Sequence, residues 1–487
     1  MMADTTNAAL AALTDAVRAG AIPVAGHSAK VLPGGVFVAA SGPVADGERF
    51  IPEALSRGAA HVVASPGTVL PAGATAELVV VEDPKAALGV LAAARFGTDR
   101  MAMPVAAVTG TNGKTTVTYL IERLATAAGR KVGVLGTVSY RWPGVSRDAT
   151  LTTPDCLAIH ENLAAMAAAG CDLAVMEASS HAIAQDRLAG LAFAAGIFTN
   201  LTQDHLDYHK DMESYFEAKA GLFRRYLADP QNAVLNFDDP FGRRLLEEFP
   251  EALGYGLTTP PAGAPRLLAG TVRSHGREGQ LLDVRHGDAA YAVASPMPGR
   301  HNAQNVLAAM GAALVLGLPA AAFAALADCH GAPGRLERIA NPRGLTVFVD
   351  YAHTPDALEN VLGAAREFTK GKLFAVFGCG GDRDRTKRPL MAAAVARFAD
   401  VAVLTSDNPR HEDPLAIMAD ARPGLGGARR AVAEPDRRRA IGLALSAMGP
   451  EDVLVIAGKG HETYQQIGDV KHPFSDAAVV RELTGCA

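Results

Sequence analysis

The chain is 487 residues long, beyond the ~250–300 residues at which single cores stop growing, so several domains are expected. With 49% hydrophobic and 20% charged residues it has an ordinary globular balance. Its 46 basic residues against 51 acidic ones leave a net charge of −5, which excludes nucleic-acid binding through bulk charge and means that any anionic ligand must be held by local sites. Five scattered cysteines (Cys156, Cys171, Cys329, Cys379, Cys486) with no C-x-x-C pair read as reduced thiols, not as a disulfide framework or zinc site. The opening M-M-A-D-T-T-N lacks a basic segment followed by an apolar core, and no apolar run approaches the ~20 residues of a membrane span, so a cytoplasmic location without membrane contact is expected.

Residues 1–98 alternate helical patterns (8–18, 51–58, 86–96) with short strand-like runs (36–40, 61–65, 78–81), which predicts a small α/β domain. The stretch 97–104 reads as a linker. From 99 to 331 buried-strand runs at 105–108, 132–135, 172–176, 193–198 and 232–235 alternate with helices at 114–127, 155–168, 211–226 and 302–316, the signature of a doubly wound parallel sheet. Residues 256–298 are richer in Pro and Gly with short alternating runs, as in an antiparallel insert. A third α/β unit, 332–487, has strands at 345–350, 373–377, 401–405 and 453–456 and helices near 355–366, 388–398, 414–421 and 475–484. The expected architecture is therefore three α/β domains: 1–98, 99–331 and 332–487.

The strongest chemical signal is V-A-A-V-T-G-T-N-G-K-T-T (105–116). A buried strand breaks into a glycine turn, Gly110, Thr111, Asn112 and Gly113, then Lys114, Thr115 and Thr116 open a helix. Backbone N–H groups and the helix dipole make such a turn an anion cradle, with Lys114 for the β/γ-phosphates and the Thr115 hydroxyl for Mg²⁺. Val108 stands where the common phosphate-loop pattern has its first glycine, so the loop is a variant. A chance glycine turn is the bland alternative.

Other strand ends carry charge toward the same crevice, since ligands gather at the carboxyl ends of parallel strands. Glu177, at the end of L-A-V-M-E, could ligate Mg²⁺. The segment F-T-N-L-T-Q-D-H-L-D-Y-H (198–209) packs two Asp and two His into six residues, which for zinc lack both cysteine partners and regular spacing. Lys219 reads by default as a surface lysine. In the third domain F-G-C-G-G-D-R-D-R (377–385) has Arg383 where a dinucleotide fingerprint needs glycine, and its charges suit a ligand with carboxylate and amine. S-D-N-P-R (406–410) offers Asp407 to an ammonium and Arg410 as a bidentate carboxylate clamp, against the alternative of a solvated Asn-Pro turn. A-G-K-G-H-E (457–462) adds a third glycine-rich charged loop.

Together G-T-N-G-K-T-T (110–116), E-A-S-S-H (177–181), D-H-L-D-Y-H (204–209), G-x-H-N-x-x-N (299–305), D-Y-A-H-T-P (350–355) and D-N-P-R (407–410) resemble the Mur ligases, in family order and across all three predicted domains. The resemblance implies an N-terminal domain for a UDP-linked substrate, a central ATPase domain and a C-terminal domain for the incoming amino acid. It also implies an ATP- and Mg²⁺-dependent ligase of peptidoglycan synthesis adding meso-2,6-diaminopimelate to UDP-N-acetylmuramoyl-L-alanyl-D-glutamate through an acyl phosphate, and a monomer.

By that resemblance Lys114 and Thr115 meet phosphate and Mg²⁺, Glu177 and His205 are Mg²⁺ ligands, and Lys219 is a carbamylated lysine. Asn302 and Asp350 serve the adenine and ribose side, and Arg335 lies near the phosphates. Thr152, Thr153, Ser179, Gln185 and Arg187 hold the muramoyl-dipeptide. Arg383, Asp407, Asn408, Pro409, Arg410, Gly458 and Glu462 line the diaminopimelate pocket, where Arg410 can pair with the second carboxylate that lysine lacks. One departure stands out: the family commonly reads D-S-R in the uridine segment, and this chain reads His27-Ser28-Ala29, keeping only Ser28. Competing readings are a Mur-type ligase for L-lysine or another amino acid, a folylpolyglutamate synthetase, and a nucleotide-driven switch without a covalent product.

Overall fold

A computed structural model describes residues 2–20, 22–42 and 46–485. The chain divides into two compact units, Met1–Tyr255 with Pro260–Leu267 and Ala308–Ala322, and Gly256–Thr259 with Leu268–Leu307 and Phe323–Ala487.

The first unit holds two sheets. Near the N-terminus four short parallel strands, Val24–Ala25, Val36–Val38, His61–Ala64 and Glu77–Val80, lie side by side in chain order. Helix Pro84–Phe96 covers this sheet; it starts on Asp83, which accepts from the N–H groups of Lys85 and Ala86, and ends on left-handed Gly97, a pairing of Asp-Pro start and Gly stop that the sequence spells out. The larger sheet has six parallel strands in the order Leu253–Gly256, Ala233–Asn236, Ala195–Phe198, Val105–Thr109, Leu173–Glu177, Val132–Leu135. An antiparallel hairpin, Ser139–Trp142 and Val145–Asp148, extends its last edge. Strand Val105–Thr109 sits in the middle, buried at every position, which is why its sequence is a continuous apolar run and not an alternation.

In the second unit strands Leu267–Gly276, Gly279–His286 and Ala289–Ser295 form the antiparallel meander expected for 256–298. A six-stranded sheet follows in the order Glu337–Arg338, Thr346–Asp350, Val453–Ala457, Leu373–Cys379, Val401–Ser406, Ala431–Ala433, parallel except for its first strand. The expected helix over 211–226 is α-helical at Met212–Gly221 and then widens into a π-helical turn, Leu222–Tyr226. Helices Pro240–Glu248 and Arg437–Ala447 and the hairpin Tyr464–Ile467 with Val470–Pro473 had no place in the sequence reading. The four described cysteines are free and buried, and burial pushes the thiols of Cys156 and Cys379 up to about 12. Cys486 lies outside the described residues. Among the described residues no helix is long and apolar enough to cross a membrane.

Within the first unit helix Pro84–Phe96 packs against helix Cys156–Ala168 and the loop at 189–190. Gly89 is the contact point: a Cβ there would collide with the backbone of Ala189 and Gly190. Gly89→Ala gains about 1 kcal/mol of helix propensity but overpacks a backbone-to-backbone contact, a change that costs roughly 1–3 kcal/mol. A net loss of stability is expected in urea unfolding, where an ordinary exposed helical glycine would show a gain.

Candidate active site

Strand Val105–Thr109 ends in the glycine turn, and helix Lys114–Ala127 begins at its far side with left-handed Gly113 as N-cap. Gly110 is held at φ 143°, and a Cβ on it would collide with the Thr199 hydroxyl, so glycine is required by space as well as by backbone. The turn is braced by the neighbouring strand end. Asn200 O accepts from Thr111 N at 2.8 Å, Asn200 Oδ1 accepts from Asn112 N at 2.9 Å, and the Thr199 hydroxyl donates to Asn112 O at 2.6 Å. Thr202 N donates to the Thr111 hydroxyl at 3.0 Å, and the same hydroxyl lies 3.2 Å from that of Tyr215.

Two lysines converge on one carbonyl in this loop. Lys114 Nζ donates to Gly110 O and Thr111 O, each at 2.9 Å, and Lys219 Nζ donates to Gly110 O at 2.7 Å. Lys219 is not the surface lysine of the default reading. It is 1% exposed and 4.5 Å from the Tyr215 ring centre, and burial, reinforced by the charge of Lys114, drives its pKa well below the ordinary lysine value against a weaker pull from Asp204.

Glu177 is fully buried at the end of its strand. Oε2 accepts from the hydroxyls of Thr115 at 3.1 Å and Thr137 at 3.0 Å, and Oε1 accepts from Thr137 N at 2.7 Å. These donors are all neutral, so a buried carboxylate beside the Thr115 hydroxyl lacks a cation in its hydrogen-bond shell, and a hard divalent cation with oxygen ligands fits that donor set. Gly136 leaves the room: a Cβ on it would stand 2.5 Å from Glu177 Oε1. Among the described residues no cluster of three or more His, Cys, Asp or Glu side chains forms a metal cage, so Glu177 with the expected His205 would not complete a shell, and a cation here would also draw on hydroxyl, phosphate and water oxygens.

His205 has a left-handed backbone (φ 53°) and a half-exposed ring, 4.8 Å centre to centre from His181 and 6.2 Å from Tyr215. Burial lowers its pKa, Asp204 opposes, and Lys114 and Lys219 lower it further, which leaves a neutral imidazole at neutral pH. His209 is more strongly affected. Its Nε2 lies 2.9 Å from Ser180 Oγ, and burial together with His181, Lys219 and His205 pushes its pKa down to about 4.

The five residues assigned to the muramoyl-dipeptide form one network. The Thr153 hydroxyl donates to Glu177 O at 2.8 Å and accepts from Ser179 N at 3.0 Å, and Thr152 Oγ1 lies 3.1 Å from Thr137 Oγ1. Arg187 donates to Thr153 O at 2.9 Å and, through Nε and Nη2, to Gln185 Oε1 at 3.1 and 2.7 Å. Ser28 stands apart, buried, with its hydroxyl donating to Glu53 Oε2 at 2.7 Å.

In the second unit Asn302 sits in the first turn of helix Arg300–Val315 and donates to Pro298 O at 2.8 Å. Asp350 ends its strand, accepting from Leu336 N at 2.6 Å and Ala352 N at 2.7 Å; burial raises its pKa and Arg335 opposes. Arg335 lies 4.8 Å over the Tyr351 ring, and its buried Nε has no hydrogen-bond partner.

Three strand ends of the C-terminal sheet bring the amino-acid residues together. Gly381 N donates to Asn408 O at 2.9 Å and Arg410 Nη1 to Gly381 O at 2.8 Å, which locks the glycine loop onto D-N-P-R. Space explains the paired glycines: a Cβ on Gly381 would collide with Pro409 O, and one on Gly380 would stand 3.1 Å from Arg410 Nη1. Arg410 itself is left-handed at φ 51°, a costly conformation for a non-glycine residue that here aims a guanidinium at the loop. Asn408 Nδ2 donates to Glu462 Oε2 at 2.8 Å. Arg383 is exposed on the same loop and donates weakly to Asp382 O at 3.4 Å. Gly458 has φ 118°, and a Cβ there would collide with Asp407 Oδ2.

Sequence reasoning passed over Thr137, the brace at 199–202, Gly136, and the buried cations Lys459 and Arg437. The lysine was visible in A-G-K-G-H-E as a charge between two glycines at a strand end.

A variant phosphate loop opening a parallel sheet, with a buried carboxylate at the adjacent strand end, defines the class of α/β phosphate-loop nucleotide-binding proteins. The Mur ligase middle domain matches residues 108–313, and the Mur ligase glutamate ligase domain matches 334–460. A UDP-N-acetylmuramoyl-L-alanyl-D-glutamate–2,6-diaminopimelate ligase of Lawsonia intracellularis is 50% identical over 94% of this chain and 95% of its own length. An enzyme of the same name from Thermosynechococcus vestitus is 46% identical over 92% of this chain and 90% of its own. A solved structure of a ligase of that name superposes with a TM-score of 0.69 at 35% identity, covering 95% of this chain and 94% of the other. The chain belongs to the Mur ligase family, ATP-dependent enzymes that form amide bonds.

The low pKa of His209 has a consequence for stability. In the unfolded chain the ring titrates near its ordinary value of ~6.5, and in the fold near 4, so the unfolded state binds the proton more readily between those values. Its contribution is fully present above about pH 6.5, declines as pH falls, and is gone below about pH 4. The melting temperature should fall over that window, and His209→Gln should flatten part of the slope; an unchanged slope would contradict the assigned environment.

Proposed function

We propose that this protein joins meso-2,6-diaminopimelate to UDP-N-acetylmuramoyl-L-alanyl-D-glutamate at the expense of ATP, in peptidoglycan synthesis. The observation that carries the reading is the D-N-P-R turn locked against the 380–381 glycine loop, with Arg410 projecting a guanidinium and Asp407 a buried carboxylate. That pair suits an amino acid with a second carboxylate, and the diaminopimelate named for the relatives has one.

In the first step the γ-carboxylate of the D-glutamyl residue attacks the γ-phosphorus of ATP, forming an acyl phosphate and releasing ADP. The amine of the amino acid then adds to the acyl carbon, loses a proton, and the tetrahedral intermediate expels phosphate to leave the amide. The loop N–H groups and Lys114 bind the triphosphate, and the 199–202 brace keeps that cradle preorganised. Asn302, Arg335 and Asp350 serve the nucleotide, and Thr152, Thr153, Ser179, Gln185 and Arg187 orient the dipeptide. Thr115, Glu177 and His205 would hold Mg²⁺, which when bound neutralises phosphate charge. A depressed pKa favours the free amine of Lys219, whose lone pair can add to CO₂; loss of a proton then gives an anionic carbamate that would suit a second Mg²⁺. Division of the chain into domains 1–98, 99–331 and 332–487, a cytoplasmic location and a monomeric state belong to the same proposal.

Purified enzyme with ATP, Mg²⁺ and the UDP-dipeptide should release phosphate only when meso-diaminopimelate is added. Release without it, or preference for L-lysine, argues for the competing readings. Arg410→Lys should raise the diaminopimelate KM by roughly 10- to 100-fold, as for the loss of a bidentate charged contact worth ~1.5–3 kcal/mol, and leave that of ATP nearly unchanged. For Lys219, a carbamate resonance should appear in carbon-13 NMR after incubation with labelled bicarbonate and vanish in Lys219→Ala.

A further inference from the structure

The loop Gly458–Glu462 contributes a side chain to which the reaction scheme gives no role. Lys459 directly follows Gly458, at the end of strand Val453–Ala457, and is 0% exposed. Its Nζ donates to Asn408 Oδ1 at 2.9 Å and to Glu462 Oε2 at 3.2 Å, and stands 4.0 Å from Asp407 Oδ1. One ammonium therefore touches three of the residues that form the amino-acid pocket.

Those contacts dictate the orientation of the others. Asn408 Oδ1 also accepts from Gln466 N at 2.9 Å, so two donors hold the amide oxygen inward and turn the Nδ2 group to Glu462 Oε2 at 2.8 Å. Reversing the amide would set an NH₂ group against both an ammonium and a backbone N–H. Glu462 Oε2 is thereby saturated, while Oε1 accepts no hydrogen bond among the described residues. Behind Asp407 lies a second buried cation. Arg437 pairs through Nε and Nη2 with Asp476, each at 2.7 Å, and its Nη1 approaches Asp407 Oδ2 only to 3.7 Å. Asp407 Oδ2 is itself buried and has no hydrogen-bond partner. Behind the pocket three carboxylates (Asp407, Glu462, Asp476) thus meet two cations (Lys459, Arg437), with Arg410 and Arg383 on the facing loops, and one buried carboxylate oxygen, Asp407 Oδ2, is left unpartnered. A ligand ammonium is the partner that this oxygen lacks.

We propose that Lys459 is a positioning residue of the amino-acid pocket: it holds Asn408 and Glu462 so that Asp407 Oδ2 and Glu462 Oε1 remain to receive an ammonium group of the incoming amino acid. This rests on the functional reading above. Lys459 does not itself touch the reacting atoms. Without its charge, Asp407 and Glu462 repel, the Asn408 amide loses the contact that fixes its direction, and the pocket loses selectivity for the zwitterion while the nucleotide side is untouched.

The test is steady-state kinetics of the full chain, wild type and Lys459→Met, with ATP, the UDP-dipeptide, and meso-diaminopimelate, L-lysine or L-ornithine in turn. For the amino acid that wild type uses best, Lys459→Met should raise KM at least tenfold and change the KM of ATP less than twofold. Adding Glu462→Gln to Lys459→Met should cost much less than Glu462→Gln costs in the wild type, because the carboxylate is already misplaced. Parallel rises in both KM values, a fall in kcat alone, or additive losses overturn the proposal. Should Lys459→Met fail to fold, Lys459→Gln, which keeps a donor to Asn408 without the charge, is read by the same criteria; if neither folds, the lysine is structural and the proposal fails. A wild type that prefers L-lysine or L-ornithine overturns the functional reading alone, since the comparison at Lys459 is still made on the amino acid used. A wild type that uses none overturns both.

Discussion

Two lysine side chains donating to the carbonyl of Gly110 set the terms for the nucleotide side of this enzyme. Two like charges on one acceptor, one of them wholly buried, repel, and burial with the charge of Lys114 drives the Lys219 pKa well below the ordinary lysine value. Lys114 stands ready for the charge of a triphosphate, and Lys219, biased toward the free amine, shares the same carbonyl. The difference between the two lysines comes from their settings: Lys114 opens a helix at the half-buried mouth of the loop, whereas Lys219 lies on helix Met212–Gly221 beneath it. Gly110 must be glycine for the carbonyl to stand where both can reach it, and the segment 199–202 keeps it there.

The same economy runs through the C-terminal sheet. Its parallel strands deliver Asp350, Asp407 and Gly458 at neighbouring carboxyl ends, so residues far apart in sequence meet without long loops. Charges there are buried in mutually compensating sets, and breaking a set would leave an isolated ion at a cost of ~3–5 kcal/mol. Arg437 with Asp476 shows the purpose: fully buried, it supplies a fixed positive field behind Asp407 and spends its best hydrogen bonds elsewhere, leaving Asp407 Oδ2 without a hydrogen-bond partner.

Much of this was legible from the chain. Continuous apolar runs marked the buried parallel strands, and the strand-glycine-helix order marked the phosphate loop, because local backbone demands leave local signals. The alternation of strand and helix also placed the strand ends, and with them Glu177, Asp350 and Asp407. What escaped notice were long-range relations. Thr137 is an unremarkable threonine until Glu177 folds against it, and Asn200 braces a loop 88 residues away. Lys219 looked exposed because a lysine in E-A-K-A-G usually is. The run D-R-R-R (436–439) carries no local sign of burial, yet Arg437 is among the largest fully buried side chains while Arg438 and Arg439 are exposed.

The segment His27–Ala29, which aligns with the family's D-S-R by resemblance, illustrates how local structure can be kept while charge changes. His27-Ser28-Ala29 lacks the acidic and basic neighbours of the family's D-S-R, but Ser28 is tied into the N-terminal domain for reasons that need no ligand. Its hydroxyl donates to Glu53 and holds that carboxyl below the usual range, and His27 Nδ1 accepts from Ala29 N at 3.1 Å to start the 3₁₀ turn Ser28–Lys30. An aspartate at position 27 could make the same cap, since a short side-chain acceptor is all that the turn demands. The change to histidine therefore preserves the local backbone while removing a negative charge, and the missing arginine at position 29 removes a positive one. Fold and charge balance are both retained, so the turn keeps its scaffold without the two charges that the family's D-S-R would place on it.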